Sequence, residues 1–127
     1  MVRTIKECNA IDIQERVSII QKILDEKKAV NVEVIDVQES LLADYFIVAS
    51  GTSNTHIRAI ADGLLLEGRD AGLTKLAVEG YKEAKWVLVD YGDIVVHLFA
   101  EEERGFYDVE TLWKQMQSIR EHQKDTQ

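Results

Sequence analysis

The sequence predicts an α/β fold in which a mixed sheet of about five strands is flanked by helices. Three segments show helical periodicity, short β-branched runs lie between them, and two apolar runs flank a glycine-containing turn as in a β-hairpin. The chain has 127 residues, of which 46% are hydrophobic and 30% charged. This length and composition suit one globular domain spanning residues 1–127.

The first predicted helix covers residues 13–28, with Asp12 as its N-cap. Its apolar stripe follows spacings of four and three residues and consists of Ile13, Val17, Ile20 and Leu24. Residues 32–37 alternate as a strand does, and residues 44–49 form a second, more apolar strand. We expect these two strands to lie side by side and to be joined by an open connection.

The second predicted helix covers residues 55–71 and ends at Gly72. The loop before it, Gly51-Thr52-Ser53-Asn54, allows two interpretations: its amides could bind an anion, or its side chains could cap the helix. Capping is favoured because the loop has one glycine and no P-loop lysine. Ala59 and Gly63 form a small-residue seam, for which close packing on the sheet is favoured over contact with a second chain.

Residues 75–78 predict a short strand at an edge of the sheet. The hairpin follows, with arms at residues 86–89 and 94–99 and a turn at residues 90–93. Both arms are apolar at nearly every position, so both faces of the sheet should be covered. A final helix is predicted from residue 109 to about residue 121, with Asp108 as its cap, and residues 122–127 should fray.

Charge is distributed unevenly along the chain. The net charge is −8, which argues against sequence-specific nucleic-acid binding and is compatible with a basic protein partner. Residues 79–110 hold nine acidic and three basic side chains, so −6 of the −8 lies there. A general effect on solubility explains such a surface equally well. No membrane-length apolar run and no signal peptide are expected, which favours the cytoplasm.

Few side chains are arranged for catalysis. Cys8 is the only cysteine, and the three histidines lack the spacing of metal ligands, so no metal or other cofactor is expected. Asp90 and Asp93 are the best-placed acid pair, but they flank a turn, where aspartate is common for conformational reasons. A nucleotide-binding or nucleotidyltransferase-like enzyme is therefore the alternative, and a non-enzymatic interaction module is preferred.

Two aromatic residues of the hairpin favour that module. Trp86 begins a strand beside a polar loop, and Tyr91 lies in the turn, where it has no obvious core role. Tryptophan and tyrosine often supply most of the binding energy of protein interfaces. Replacing both by alanine should then weaken binding without unfolding the domain.

The chain resembles the ribosomal silencing factor (RsfS, or Iojap) family from about residue 17 to residue 113. Each matching segment alone has low specificity for the family, but the order and spacing of the segments together are highly specific. The segments are Asp44-Tyr45-Phe46, Gly51-Thr52-Ser53 with His56, Glu79-Gly80, Trp86, Val89-Asp90-Tyr91-Gly92-Asp93, Val96-His97, and Arg104-Gly105-Phe106-Tyr107-Asp108-Val109-Glu110-Thr111-Leu112-Trp113.

The resemblance implies a nucleotidyltransferase-like fold without the catalytic acids. It also implies a translational repressor that binds ribosomal protein fourteen of the large subunit, obstructs joining of the small subunit and lowers translation in starvation. Family members are homodimers in free solution. The residues expected to bind the ribosomal protein lie in and beside the hairpin and are Trp86, Asp90, Tyr91, Asp93, His97 and Glu101.

Overall fold

The computed structural model describes residues 12–37 and 43–104. Their elements are α1 (Ile13–Glu26), β1 (Val30–Asp36), β2 (Tyr45–Gly51), α2 (Asn54–Asp70), β3 (Ala77–Glu79), β4 (Trp86–Asp90), β5 (Ile94–Ala100) and the short α3 (Glu101–Arg104). The prediction of a helix over residues 109–121 and of a frayed tail over residues 122–127 falls outside the described residues. The single domain over residues 1–127 stays a prediction.

The five strands form one mixed sheet in the order β1-β2-β5-β4-β3. β2 and β5 are parallel, whereas the β1–β2, β3–β4 and β4–β5 pairs are antiparallel. This arrangement confirms the predicted mixed sheet, the pairing of the first two strands, the hairpin and the edge position of β3. The parallel pairing joins strands that are distant in sequence, with α2 between them, as expected for an α/β crossover.

The apolar side chains of the sheet divide into two buried clusters. Val87, Val89 and Val96 pack with the apolar residues of α1 and α2 in the larger cluster. Phe46, Leu88 and Phe99 belong to the cluster on the opposite face of the sheet. All seven residues of β5 are buried, which confirms that both faces of the hairpin are shielded from water.

The helix boundaries follow from their caps. Asp12 accepts a hydrogen bond from the backbone N–H of Glu15 at 2.8 Å, as predicted for the N-cap of α1. α1 ends two residues before the expected boundary, and Lys28 has a φ of 62° that does not continue a right-handed helix. Gly72, just after α2, has a φ of 96° and is the predicted C-terminal glycine.

Gly63 explains the small-residue seam of α2. A Cβ at this position would lie 2.5 Å from Cε of Lys27, so the glycine lets the lysine side chain pack against α2, and a larger residue would require that flexible side chain to shift. Lys27 then reaches Glu67 with a 2.6 Å ion pair. The preferred interpretation, close packing on the sheet, is wrong for Gly63, because the side chain next to it belongs to Lys27, just after α1. Ala59 is exposed and is not part of this contact.

Candidate protein interface

The six predicted interface residues are spread along the hairpin, with His97 in the middle of β5 and the others towards its two ends. Trp86 pairs with Phe99, and the Ala100 N–H donates to the Lys85 carbonyl, so Trp86 and Glu101 share the open end. Asp90, Tyr91 and Asp93 lie at the turn end, about 17 Å away along β5 at the usual strand rise. The structure therefore does not bring all six residues together into one surface.

Tyr91 is a core residue, so the expectation that it has no core role is wrong. The residue is 7% exposed, and its hydroxyl donates to the Leu64 carbonyl at 3.2 Å. Burial raises the pKa of the phenol to about 12 because the charged form would lose its hydration. Replacing Tyr91 by alanine would leave a cavity against α2, so that substitution is not a clean test of binding.

Asp90 shapes the turn. It is 1% exposed, and its Oδ1 accepts a hydrogen bond from the Gly92 N–H at 2.7 Å. Gly92 has a φ of 92°, a conformation that side chains rarely adopt. This geometry confirms that turn formation explains Asp90 better than catalysis does.

Asp93 connects the turn to the first helix. Its Oδ2 accepts a charge-assisted hydrogen bond from the Arg16 guanidinium at 2.7 Å. Its carbonyl accepts from the backbone N–H groups of Asp44 and Tyr45. The two carboxylates of the turn thus make separate structural contacts, Asp90 with the turn backbone and Asp93 with α1.

Trp86 is the partly exposed member of an aromatic cluster on one face of the sheet. Its indole Nε1–H donates to Nδ1 of His97 at 3.2 Å. The His97 ring meets Phe46 edge to face at 4.7 Å and stacks on Phe99 at 6.5 Å between centroids. His97 is itself fully buried, and burial lowers its pKa to about 3, so the imidazole is neutral at physiological pH.

The loop between β3 and β4 is a feature that the sequence interpretation missed. Arg58 of α2 donates to the carbonyls of Tyr81 and Lys82 at 3.2 and 2.5 Å. The Tyr81 hydroxyl donates to Asp62 on the same helix at 2.9 Å. Arginine four residues before aspartate on one helix was the available signal, but its target loop is more than twenty residues away in sequence. The contacts hold the loop next to Trp86.

Gly80 brings this loop against the start of β4. Its φ is 80°, and a Cβ there would lie 2.1 Å from the Trp86 carbonyl oxygen. The Ala84 N–H closes the loop by donating to the Gly80 carbonyl at 2.9 Å. The backbone that carries Trp86 is therefore constrained by a position that only glycine can occupy.

Acidic side chains surround the open end of the hairpin. The described acidic residues there are exposed and comprise Glu79, Glu83, Glu101 and Glu102, with Lys82 and Lys85 as the basic neighbours. A partly buried tryptophan within an acidic rim is suited to a protein partner with a basic surface, because the aromatic ring supplies apolar contact and the charges favour encounter.

The loop before α2 is a helix cap. Ser53 accepts from the His56 N–H at 3.0 Å, and the Thr52 N–H donates to Nδ1 of His56 at 2.9 Å. A Cβ at Gly51 would lie 2.7 Å from the Ile57 side chain, so the loop is closely packed. The preferred capping interpretation is confirmed, and these contacts leave little of the loop for an anion.

Residues 12–37 and 43–104 contain neither a metal-binding cluster nor a membrane-spanning helix. These ranges contain no cluster of three or more histidine, cysteine, aspartate or glutamate side chains that could hold a metal ion. No helix in them combines the length and the apolar character needed to cross a membrane.

The sequence matches the profile of the family described as "Ribosomal silencing factor during starvation" over residues 10–127. The ribosomal silencing factor RsfS of Halalkalibacterium halodurans is 39% identical over 101 residues, which cover 79% of this chain and 86% of that protein. The mouse protein named "Mitochondrial assembly of ribosomal large subunit protein 1" is 33% identical over 103 residues, which cover 76% of this chain and 44% of that longer protein.

The fold is also similar to a solved structure. A crystal structure of a protein from Chromobacterium violaceum superposes with a TM-score of 0.75 at 33% sequence identity. The superposition covers 82% of this chain and 88% of the other.

Proposed function

Because the chain belongs to the ribosomal silencing factor family, we propose that it binds ribosomal protein fourteen of the large ribosomal subunit and sterically blocks joining of the small subunit. Translation would then fall in starvation or stationary phase. The observation that carries this proposal is the family match over residues 10–127. The mouse relative, whose name places it in large-subunit assembly, supports the choice of subunit. The family's names describe a regulatory factor and not an enzyme.

The contact surface of this proposal is the open end of the hairpin. Trp86 and Glu101 would touch the partner, because Trp86 is partly exposed and Glu101 is exposed at the same end of the sheet. Asp90, Tyr91 and His97 would act from inside by maintaining the hairpin. Asp93 is accessible through 43% of its side chain but lies at the turn end, so its contribution would be to hold the turn on α1.

The proposed mechanism needs no chemical step. The acidic rim would accelerate encounter with a basic ribosomal protein, and the tryptophan would supply buried contact. An interface of about 1,600 Å² is a usual size for a stable complex. The remainder of the domain would then occupy the space that the small subunit needs.

We further propose that the protein acts in the cytoplasm and is a homodimer in free solution. Sedimentation equilibrium would test the oligomeric state.

Co-sedimentation with purified large subunits tests the proposed binding. The wild-type chain should pellet with the subunits at low salt, and Trp86→Ala should lower the bound fraction at least fivefold by removing the aromatic contact. Leu66→Ala is the matched control, because Leu66 is a large apolar side chain on α2 that is 55% exposed. A wild-type chain that stays in the supernatant would contradict the proposal.

A joining assay tests the proposed consequence. Separated ribosomal subunits are mixed with an excess of the chain, and the yield of joined ribosomes is read from a sucrose gradient. The proposal predicts a reduced yield with the wild type and a recovered yield with Trp86→Ala. Full joining in the presence of bound wild-type chain would show that binding does not obstruct the small subunit.

A further inference from the structure

Trp86 and His97 are diagonal neighbours on adjacent antiparallel strands. Trp86 pairs with Phe99 and Leu88 pairs with His97, so the two rings lie on the same face of the sheet. Their centroids are 6.0 Å apart, and the indole Nε1–H donates to Nδ1 of His97 at 3.2 Å. One ring is fully buried and the other is partly exposed, so a buried side chain holds a surface aromatic residue.

The direction of this hydrogen bond follows from the chemistry of the two rings. An indole nitrogen can only donate, so Nδ1 of His97 must be the unprotonated acceptor, and the proton of the neutral ring resides on Nε2. Nε2 is buried and has no hydrogen-bond partner among the residues that the structure describes. A buried donor without an acceptor carries a stability cost, which an apolar ring at this position would avoid.

The position of His97 therefore needs an explanation beyond packing. Phenylalanine would retain the ring contacts with Phe46 and Phe99 and would remove the unpartnered donor. What phenylalanine cannot supply is an acceptor for the indole of Trp86. The feature specific to histidine here is the acceptor nitrogen at the edge of the ring that faces the surface tryptophan.

We infer that His97 is a positioning residue whose Nδ1 holds the indole of Trp86 in the orientation that the partner meets. The inference rests on the proposed function for its consequence in binding, but the orientation itself is a property of the free protein. Because His97 is inaccessible in this structure, it would influence the partner only through Trp86.

Indole N–H resonances of the free protein test the orientation directly. The chain has two tryptophans, and the Trp86 signal is assigned as the one missing from the spectrum of Trp86→Phe. In His97→Phe we expect this signal to move towards the unbonded position and its proton to exchange faster with solvent. His97→Asn should keep the signal near its wild-type position, because the asparagine oxygen can replace Nδ1 as the acceptor. If His97→Phe folds and its Trp86 signal is unchanged, the inference is overturned.

Affinity for purified large subunits tests the consequence. His97→Phe should weaken binding about three- to tenfold, the range for loss of one neutral hydrogen bond. His97→Asn should recover most of that affinity, although its smaller side chain packs less well. In a Trp86→Phe background, His97→Phe should cause no additional loss. Equal losses in both backgrounds would overturn the inference, because His97 would then act independently of the indole.

These measurements separate the inference from the proposed function. If the wild-type chain does not bind large subunits, the proposed function fails, and the indole signal still decides whether His97 orients Trp86. A second outcome is that the wild-type chain binds strongly and Trp86→Phe weakens binding, while His97→Phe changes neither the affinity nor the indole signal. In that case the positioning role of His97 fails and the proposed function stands. Thermal unfolding of each variant confirms that the compared chains are folded.

Discussion

At the scale of single residues, burial shows that some side chains predicted to bind the partner stabilise the fold instead. Asp90 and Tyr91 are both buried, and their polar atoms bond to the backbone at Gly92 and Leu64. Trp86 is the residue of the hairpin that combines a large apolar ring with access to solvent. A residue's type indicates what it can do, but its exposure decides whether a partner can reach it.

Because His97 is buried, the free energy of unfolding should depend on pH in the acid range. The ordinary pKa of histidine is 6.5, and that of folded His97 is about 3, so only the unfolded chain takes up a proton between these values. Stability should therefore fall as pH decreases through this window, by up to about 1.4 kcal/mol per pH unit. Urea unfolding should show the wild type losing about 2 kcal/mol more than His97→Phe between pH 7 and pH 5. Equal losses would contradict a neutral buried imidazole.

Tyr91 makes the corresponding prediction at alkaline pH. Its folded pKa is about 12 against an ordinary value of 10.0, so the unfolded chain loses its phenolic proton first and stability should decrease as pH rises from 10 to 12. Ultraviolet titration of the folded protein should show a phenol with a midpoint near 12 that is absent from Tyr91→Phe. Loss of the hydrogen bond to Leu64 should cost about 1 kcal/mol. Binding to large subunits should be unchanged in Tyr91→Phe, in contrast to Trp86→Ala.

Two of the six residues predicted for the site remain in the proposed contact surface. The sequence located Trp86 and Glu101 because an aromatic residue at a strand start and an acidic run are visible as local patterns. It could not separate Tyr91 from Trp86, because the Tyr91 ring is covered by α2 and Leu73, which are distant in sequence. The role of Arg58 could not be predicted either, because the Tyr81 and Lys82 carbonyls that accept its hydrogen bonds are distant in sequence. Backbone carbonyls also have no sequence signature.

At the scale of elements, the conformation of the β3–β4 loop is specified by contacts on two sides. Arg58 and Asp62 on α2 anchor it from one side, and Gly80 fits it against Trp86 from the other. The contacts of α2 and of Gly80 thus fix the position of the backbone at the start of β4. We expect this loop to be a rigid support for the proposed contact surface.

Gly80→Ala tests that support. An added Cβ would meet the Trp86 carbonyl and would require a left-handed backbone at alanine, so unfolding free energy should fall by roughly 2 to 4 kcal/mol. Gly92→Ala is the matched control: its φ is also positive, but its added Cβ would meet only the Leu76 side chain at 3.3 Å, which can move. Denaturant midpoints should therefore fall further for Gly80→Ala. An equal shift in both variants would show that the Trp86 contact adds nothing to the conformational strain.

At the scale of the whole molecule, exposed acidic residues lie around the partly exposed Trp86 at the open end of the hairpin. α2 begins beside the open end of the hairpin and ends near the turn, so its termini mark the two ends. The exposed acidic residues at the open end surround Trp86, whereas the turn end is tied to α1 through Arg16. Long-range attraction of a basic partner should consequently favour approach to the open end.

Association with large subunits should depend on salt and on the position of a charge. Screening shortens the reach of electrostatic attraction, so the association rate should fall roughly tenfold between about 0.05 and 0.5 M salt. Glu101→Lys should slow association at low salt. Asp70→Lys, at the far end of α2 with a side chain that is 70% exposed, is the matched control and should have little effect. Stopped-flow fluorescence measures both rates, and equal slowing would indicate a response to net charge alone.

The sequence by itself determined the identity of the elements and the family. Apolar periodicity, caps such as Asp12 and Ser53, and the glycine after α2 act within a few residues, so their physical consequences can be predicted locally. The family comparison confirms the resemblance first seen in the order of the motifs.

Only the tertiary structure decided which hairpin side chains meet solvent. The parallel pairing of β2 with β5 and the packing of α2 over the sheet bury Tyr91 and bring Arg58 to the loop beside Trp86. These contacts join residues 23 or more positions apart, and their energies depend on the relative placement of whole elements. A local sequence pattern contains no information about that placement. The exposure of the hairpin side chains and their hydrogen-bond partners could therefore be read only from the tertiary structure.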